Sequence, residues 1–200
     1  MSKRLDPALS KKMDNAIITL SLAFNQSGKN EKPVITHSIE VGMKLFDYGY
    51  DADIVISGIL HDLLEDTDYS PAQLASEYGT EVLNIVQAAS FNERITDRRE
   101  QNVGMFRRCR QYGKAALLVK CADLIANMPF ITCVDSDNIE LIQILAAKYA
   151  NFISFADTIK DEPLFEEYVK TMHHYIVTTT PLCGHPSMGG EFYQRNFTTS

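Results

Sequence analysis

Apolar residues recur three and four positions apart along most of the chain, and no stretch alternates strictly enough to read as a strand. Met13, Ile17, Leu20 and Phe24 form one helical stripe that opens after Asp6-Pro7 and stops at Asn25-Gln26-Ser27-Gly28. Beyond the polar loop Ser27 to Lys32 and Pro33, Thr36 is a candidate cap for a second helix ending at Gly49, with His37 in its first turn. A third helix opens at Asp51 or Asp53 and runs to near Thr67. Its residues Ile54, Val55, Ile56, Ile59, Leu60, Leu63 and Leu64 cover so much of its circumference that it belongs at the centre of the fold. Ser70-Pro71-Ala72-Gln73 combines a capping box with proline at the first helical position, for a helix ending at Tyr78-Gly79. Another runs from Thr80 through Val82, Ile85, Val86 and Ala89. Phe91 to Gln101 is charged and poor in apolar residues, which predicts a loop and then a solvated helix through Arg110. Lys114 to Met128 is strongly apolar and is stopped by Pro129. Asp137-x-x-Glu140 caps a long helix through Ile142, Leu145, Tyr149, Phe152 and Phe155, and a last helix fits Pro163 to Val177. The pattern predicts a single all-α domain over residues 1–177, followed by a turn-rich tail, 178–200.

Composition narrows the class. Of 200 residues, 45% are hydrophobic and 22% charged, which suits a chain that buries its own core and excludes a disordered, collagen-like or disulfide-stapled one. Nineteen basic against 26 acidic residues leave a net charge of −7, so wrapping duplex nucleic acid by bulk charge is excluded. An anionic substrate would have to be met by local positive charge or by a metal. Cys109, Cys121, Cys133 and Cys183 show no C-x-x-C spacing and are expected to be reduced and structural. No run of about 18 apolar residues is seen and no signal-peptide core follows Met1 to Pro7, so the expectation is a cytoplasmic protein with no membrane partner.

The chemistry concentrates in Leu60-His61-Asp62-Leu63-Leu64-Glu65-Asp66-Thr67, where four titratable side chains enter a helix otherwise built for burial. Buried ionised groups are costly unless paired or bound to a metal. At about 100° per residue, His61, Asp62, Glu65 and Asp66 cover an arc of roughly 140°, so they can share one face while Leu60, Leu63 and Leu64 take the other. A first-row divalent metal accepts imidazole nitrogen and carboxylate oxygen, and one His-Asp pair leaves it short of ligands. His37 and Asp123, an acid interrupting the apolar helix Leu118 to Met128, complete a set of two histidines and two aspartates. Such a set leaves positions for water and substrate.

Pro33-x-x-x-His37, then Gly58-Ile59-Leu60-His61-Asp62-Leu63-Leu64-Glu65-Asp66-Thr67, then Tyr78-Gly79, then Val119-Lys120-x-Ala122-Asp123-x-x-x-Asn127-Met128 resembles the HD-domain metal-dependent phosphohydrolases. Within them it is most similar to the hydrolase domain of the RelA/SpoT family and its small stand-alone alarmone hydrolases, over roughly residues 8–160. The resemblance implies a helical HD-domain fold. It implies a manganese ion on His37, His61, Asp62 and Asp123, with Glu65 and Asp66 as the acidic pair that activates water and assists the leaving group. The implied reaction removes the 3′-pyrophosphate from guanosine tetra- or pentaphosphate. Candidate substrate contacts are Lys29, Lys32, Lys120, Asn127 and Tyr149, and a homo-oligomer is compatible with this reading. His173, His174 and His185 lie outside the matched region and are read as bystanders. Two family arginines are replaced by Leu124 and Pro129, and the run before His37 lacks the family's Tyr and second Pro and offers no arginine, so the departures fall on the substrate side. The alternatives are an HD nucleotidase or phosphodiesterase with another nucleotide, and a metal-binding regulatory module without turnover.

Overall fold

The computed structural model describes residues 6–27, 34–92, 94–133 and 138–178. Lys29, Lys32, Asp137, Cys183 and the tail 179–200 lie outside the described residues. Among the described residues every regular element is helical, and the chain divides between Asp123 and Leu124 into two compact units.

The first unit contains α1 (Pro7–Ser27), α2 (Val34–Asp47), α3 (Ala52–Leu60), α4 (Leu63–Asp66), α5 (Pro71–Tyr78), α6 (Thr80–Ala89), α7 (Arg98–Tyr112) and most of α8 (Lys114–Asn127). Pro7 opens α1 as expected, with the Asp6 carboxylate accepting from the Ala8 N–H at 3.1 Å. The buried face of α1 is Met13, Ala16, Leu20 and Ala23, so the expected stripe is rotated by one position at Ile17 and Phe24. α5 has the capping box read from its sequence: Ser70 Oγ accepts from the Gln73 N–H at 3.2 Å, and Gln73 accepts from the Ser70 N–H at 3.0 Å. The Tyr78 hydroxyl then meets Thr19 Oγ1 at 2.7 Å, tying α5 to α1.

α3 is the central helix of this unit and is buried over most of its length. It runs against α2 at glycines: a Cβ added at Gly42 would lie 2.2 Å from Ile59 Cγ1, and one at Gly58 would lie 2.5 Å from Leu45 Cδ1. Only the missing side chains permit this approach. α2 starts at Val34, directly after Pro33, rather than at a Thr36 cap. The helix expected to continue to Thr67 instead breaks at His61-Asp62 and resumes as α4. His61 Nδ1 takes the Gly58 carbonyl at 2.8 Å, and Asp62 sits at φ −92°, ψ −3°, between the main allowed basins.

Asp97 caps α7, accepting from the Glu100 N–H at 2.8 Å, and Gly113 at φ 119° makes the turn into α8 that a side chain would strain. α7 is largely solvated, with Met105, Phe106 and Cys109 as its buried face. The stretch Lys114–Cys133 has a mean hydropathy of 1.5 over a span long enough for a membrane, which the sequence reading did not find. It carries Lys120 and Asp123 midway and is 72% buried within the protein, as a core helix would be.

The second unit opens with a 3₁₀ turn, Met128–Cys133, where Pro129 ends α8 as expected. α9 (Ile139–Ile153) is capped by Asn138, whose side chain accepts from the Leu141 N–H at 3.2 Å. α10 (Pro163–Met172) passes into a π-type turn, His173–Thr178. The Tyr168 hydroxyl donates to the Tyr149 carbonyl at 2.6 Å, and its ring centroid lies 5.2 Å from that of Phe152, which locks α10 onto α9. Cys109 and Cys121 are buried, whereas Cys133 is exposed rather than structural.

Candidate metal centre and adjoining cavity

Three pieces of the first unit converge on one point. The first turn of α2 supplies His37, the break between α3 and α4 supplies His61 and Asp62, and α8 supplies Asp123. One ligand atom from each of His37, His61 and Asp123 lies within 4.8 Å of the others. His37 Nε2 is 3.1 Å from Asp123 Oδ1 and 4.0 Å from Asp62 Oδ2, while His61 Nε2 is 3.2 Å from Asp62 Oδ1 and 3.5 Å from Asp123 Oδ1. The glycine contact between α2 and α3 sets this spacing, because it holds the two imidazoles at 5.2 Å between ring centroids.

The donor set fits a metal. His61 Nδ1 faces a carbonyl and can only donate to it, which turns Nε2 toward the carboxylates. That Nε2 is buried and makes no hydrogen bond, and His37 Nδ1 is likewise buried without one. A lone pair aimed at two carboxylates is repulsive unless a proton or a metal cation stands between them. Burial opposes charge on His61, but Asp62 and then Asp123 outweigh it and raise its pKa well above the usual 6.5. Burial likewise pushes Asp123 up, yet Lys120 beside it, with His37 and His61, holds it well below the usual carboxylate range. His61 lowers Asp62 in the same way against burial. The cluster thus gathers imidazole and carboxylate donors of the kind that suit a first-row divalent ion.

Lys120, expected as a substrate contact, is 4% exposed, and its ammonium donates to Asp123 Oδ2 at 2.8 Å. It braces a ligand. Glu65, on α4, accepts the Phe91 N–H at 2.6 Å. Burial, reinforced by Asp62, raises its pKa from 4.5 to about 7 against the pull of Lys120. It also lines a cavity of about 450 Å³ together with Leu64, Gln87, Ser90, Phe91, Asn92 and Arg108. Asp66 is the last residue of α4 and half-buried. Asn127, at the end of α8, is half-buried, and Tyr149, on α9, is buried within the second unit. Arg108 was missed. Its guanidinium donates to the Ser90 carbonyl, and it stands three residues after buried Met105, at the edge of the apolar face of α7. That spacing was the available signal, hidden by the charge around it.

A family model described as "HD domain" matches residues 16–151. The chain belongs to the HD-domain family. The all-α architecture is the HD fold, and the HD domain carries with it the binding of a divalent metal. Among curated proteins, the chain is 33% identical over 110 residues to guanosine-3′,5′-bis(diphosphate) 3′-pyrophosphohydrolase of Haemophilus influenzae, covering 52% of this chain and 16% of that protein. The same identity over 110 residues relates it to the pyrophosphohydrolase MESH1 of Danio rerio, covering 52% of this chain and 59% of that one. The chain thus spans a small part of the bacterial relative and somewhat over half of the animal one. A solved metazoan ortholog of SpoT, described as hydrolysing ppGpp, superposes with a TM-score of 0.60 over 84% of this chain and 98% of that one, at 17% identity, a likeness of fold.

Proposed function

We propose that this HD domain is a manganese-dependent hydrolase of phosphorylated nucleotides that removes the 3′-pyrophosphate from guanosine-3′,5′-bis(diphosphate). The observation that carries it is the buried His61 Nε2, which makes no hydrogen bond and faces the oxygens of Asp62 and Asp123, with Glu65 nearby at a pKa of about 7. The named activities of the relatives from Haemophilus influenzae and Danio rerio support the substrate class.

His37, His61, Asp62 and Asp123 would hold the ion. When bound, it supplies Lewis acidity that neutralises phosphate charge and makes water easier to deprotonate. The chain's own residues then do three things. Lys120 keeps Asp123 ionised and fixed in orientation through its 2.8 Å contact. Glu65 is present in both protonation states near neutral pH, which suits a group that takes a proton from water or returns one. Asp66, beside it on α4, supplies the second carboxylate. Water attacks the phosphorus joined to the 3′-oxygen, and that P–O bond breaks. The oxygen of water stays with pyrophosphate, and the 3′-oxygen leaves as a hydroxyl after gaining a proton.

The test is a nucleotide panel with purified protein and manganese, products separated by chromatography. Pyrophosphate and guanosine 5′-diphosphate from the tetraphosphate are expected. Turnover of simple nucleoside phosphates alone would favour a nucleotidase, and metal binding with no turnover of any compound would favour a regulatory module.

A further inference from the structure

We propose that Arg108 is a specificity-determining residue of this site, holding a phosphate group of the substrate other than the one attacked; this rests on the function proposed above. The need for such a group follows from charge. The chain is net −7, and among the described residues the lysine beside the metal ligands, Lys120, is buried and committed to Asp123 at 2.8 Å. Arg108 lines that cavity and forms no ion pair with a carboxylate among the described residues, so none of these neutralises its charge. A half-buried guanidinium without a counter-ion is stabilised by an anion that enters beside it.

Its geometry is prepared for that role. One N–H is used on the Ser90 carbonyl, which fixes the fork against the α6–α7 connection and leaves most of its five donors for a ligand. Apart from Glu65, the lining groups around it are the amides of Gln87 and Asn92, Ser90 and the ring of Phe91, none of them anionic. Glu65 is the residue shared by the cavity and the surroundings of the metal ligands, since it lines the former and feels Asp62 and His61. A phosphorus under attack lies on the ligand side of Glu65, so the anion reaching Arg108 is a second phosphate group at the other end of the molecule. A volume of about 450 Å³ is within the range of small-molecule sites. The positive charge absent at Leu124 and Pro129 is thereby supplied from a different helix, α7.

The experiment compares kcat/KM for guanosine tetraphosphate and for guanosine carrying the 3′-diphosphate with a free 5′-hydroxyl, using manganese-loaded wild type, R108Q and R108K. Wild type is expected to prefer the tetraphosphate by about 10- to 100-fold, the range of a charge-assisted contact. R108Q should bring that preference close to unity by raising KM for the tetraphosphate, with kcat within about threefold. R108K, which can still reach Ser90 but has no fork, should fall between. A guanidinium that only staples Ser90 would lower both substrates equally along with the melting temperature in R108Q, and R108K would restore both. That result, or a preference unchanged in R108Q, overturns the proposal. Wild type inactive on both compounds would instead remove the function on which it rests.

Discussion

Replacing Lys120 by methionine separates a bracing role from a substrate contact. The Lys120 and Asp123 side chains are 5% and 6% exposed, and their contact is 2.8 Å, so the substitution leaves a buried carboxylate without its nearest counter-charge. Removing one partner of a buried pair costs about 3–5 kcal/mol. For a chain of this length, at about 2–4 °C per kcal/mol, the metal-free protein should lose roughly 6–20 °C of melting temperature. Asp123 is held well below the usual range, so it contributes stability above its unfolded pKa that is lost as pH falls through the folded one. Without Lys120 the folded value rises, and acid unfolding begins at higher pH. A bound divalent ion replaces the missing charge, so most of the loss should return when manganese is added. Lys120 also lowers the Glu65 pKa, so the pH–rate limb near 7 should move upward in K120M. Urea unfolding in chelator and in manganese, acid unfolding in chelator and the pH–rate profile measure all four effects. Stability within about 1 kcal/mol of wild type in chelator, combined with a raised KM, would refute the bracing role and return Lys120 to the substrate.

E65Q and D66N should keep the metal while losing about 10²- to 10⁴-fold in rate, measured by metal analysis and steady-state kinetics. E65Q should also alter stability with pH. Glu65 is raised from 4.5 to about 7, so its own contribution to stability is complete below pH 4.5 and up to about 3 kcal/mol of it is lost as pH rises through 7. Glutamine keeps the acceptor for Phe91 N–H and should abolish that loss in chelator. Because Asp62 and Asp123 outweigh burial to keep His61 protonated without a cation, metal binding should release close to one proton near neutral pH, read by calorimetry in buffers of different ionisation enthalpy. G42A places a Cβ 2.2 Å from Ile59 Cγ1 and should cost about 1–3 kcal/mol in urea unfolding while lowering metal affinity, since it forces α2 from α3 and His37 from His61.

The helical architecture was legible because caps and stops are local: Pro7, the Ser70 capping box, Gly79 and Pro129 each mark the boundary their chemistry requires. His61, Asp62 and Asp123 stood out because each interrupts an apolar helix and His37 because it lies in the first turn of the second one, and the fold brings all four together. The break at His61-Asp62 was not legible, since it depends on His61 Nδ1 choosing the Gly58 carbonyl and on the approach of α2 at Gly42. Lys120 looked available for substrate because nothing in the chain order says that its ammonium would be consumed by Asp123, one turn away. Arg108 was hidden among Arg107 and Arg110, both exposed, and only the packing of α7 distinguishes it.

Titrating chelator-stripped protein with manganese while following pyrophosphate release from guanosine tetraphosphate tests the central claim most directly. Release should start from nothing, rise with occupancy and saturate at about one ion per chain, and a His61→Ala, Asp62→Ala double variant should neither bind nor turn over. Pyrophosphate release by the stripped protein, or full occupancy and turnover in the double variant, would contradict it.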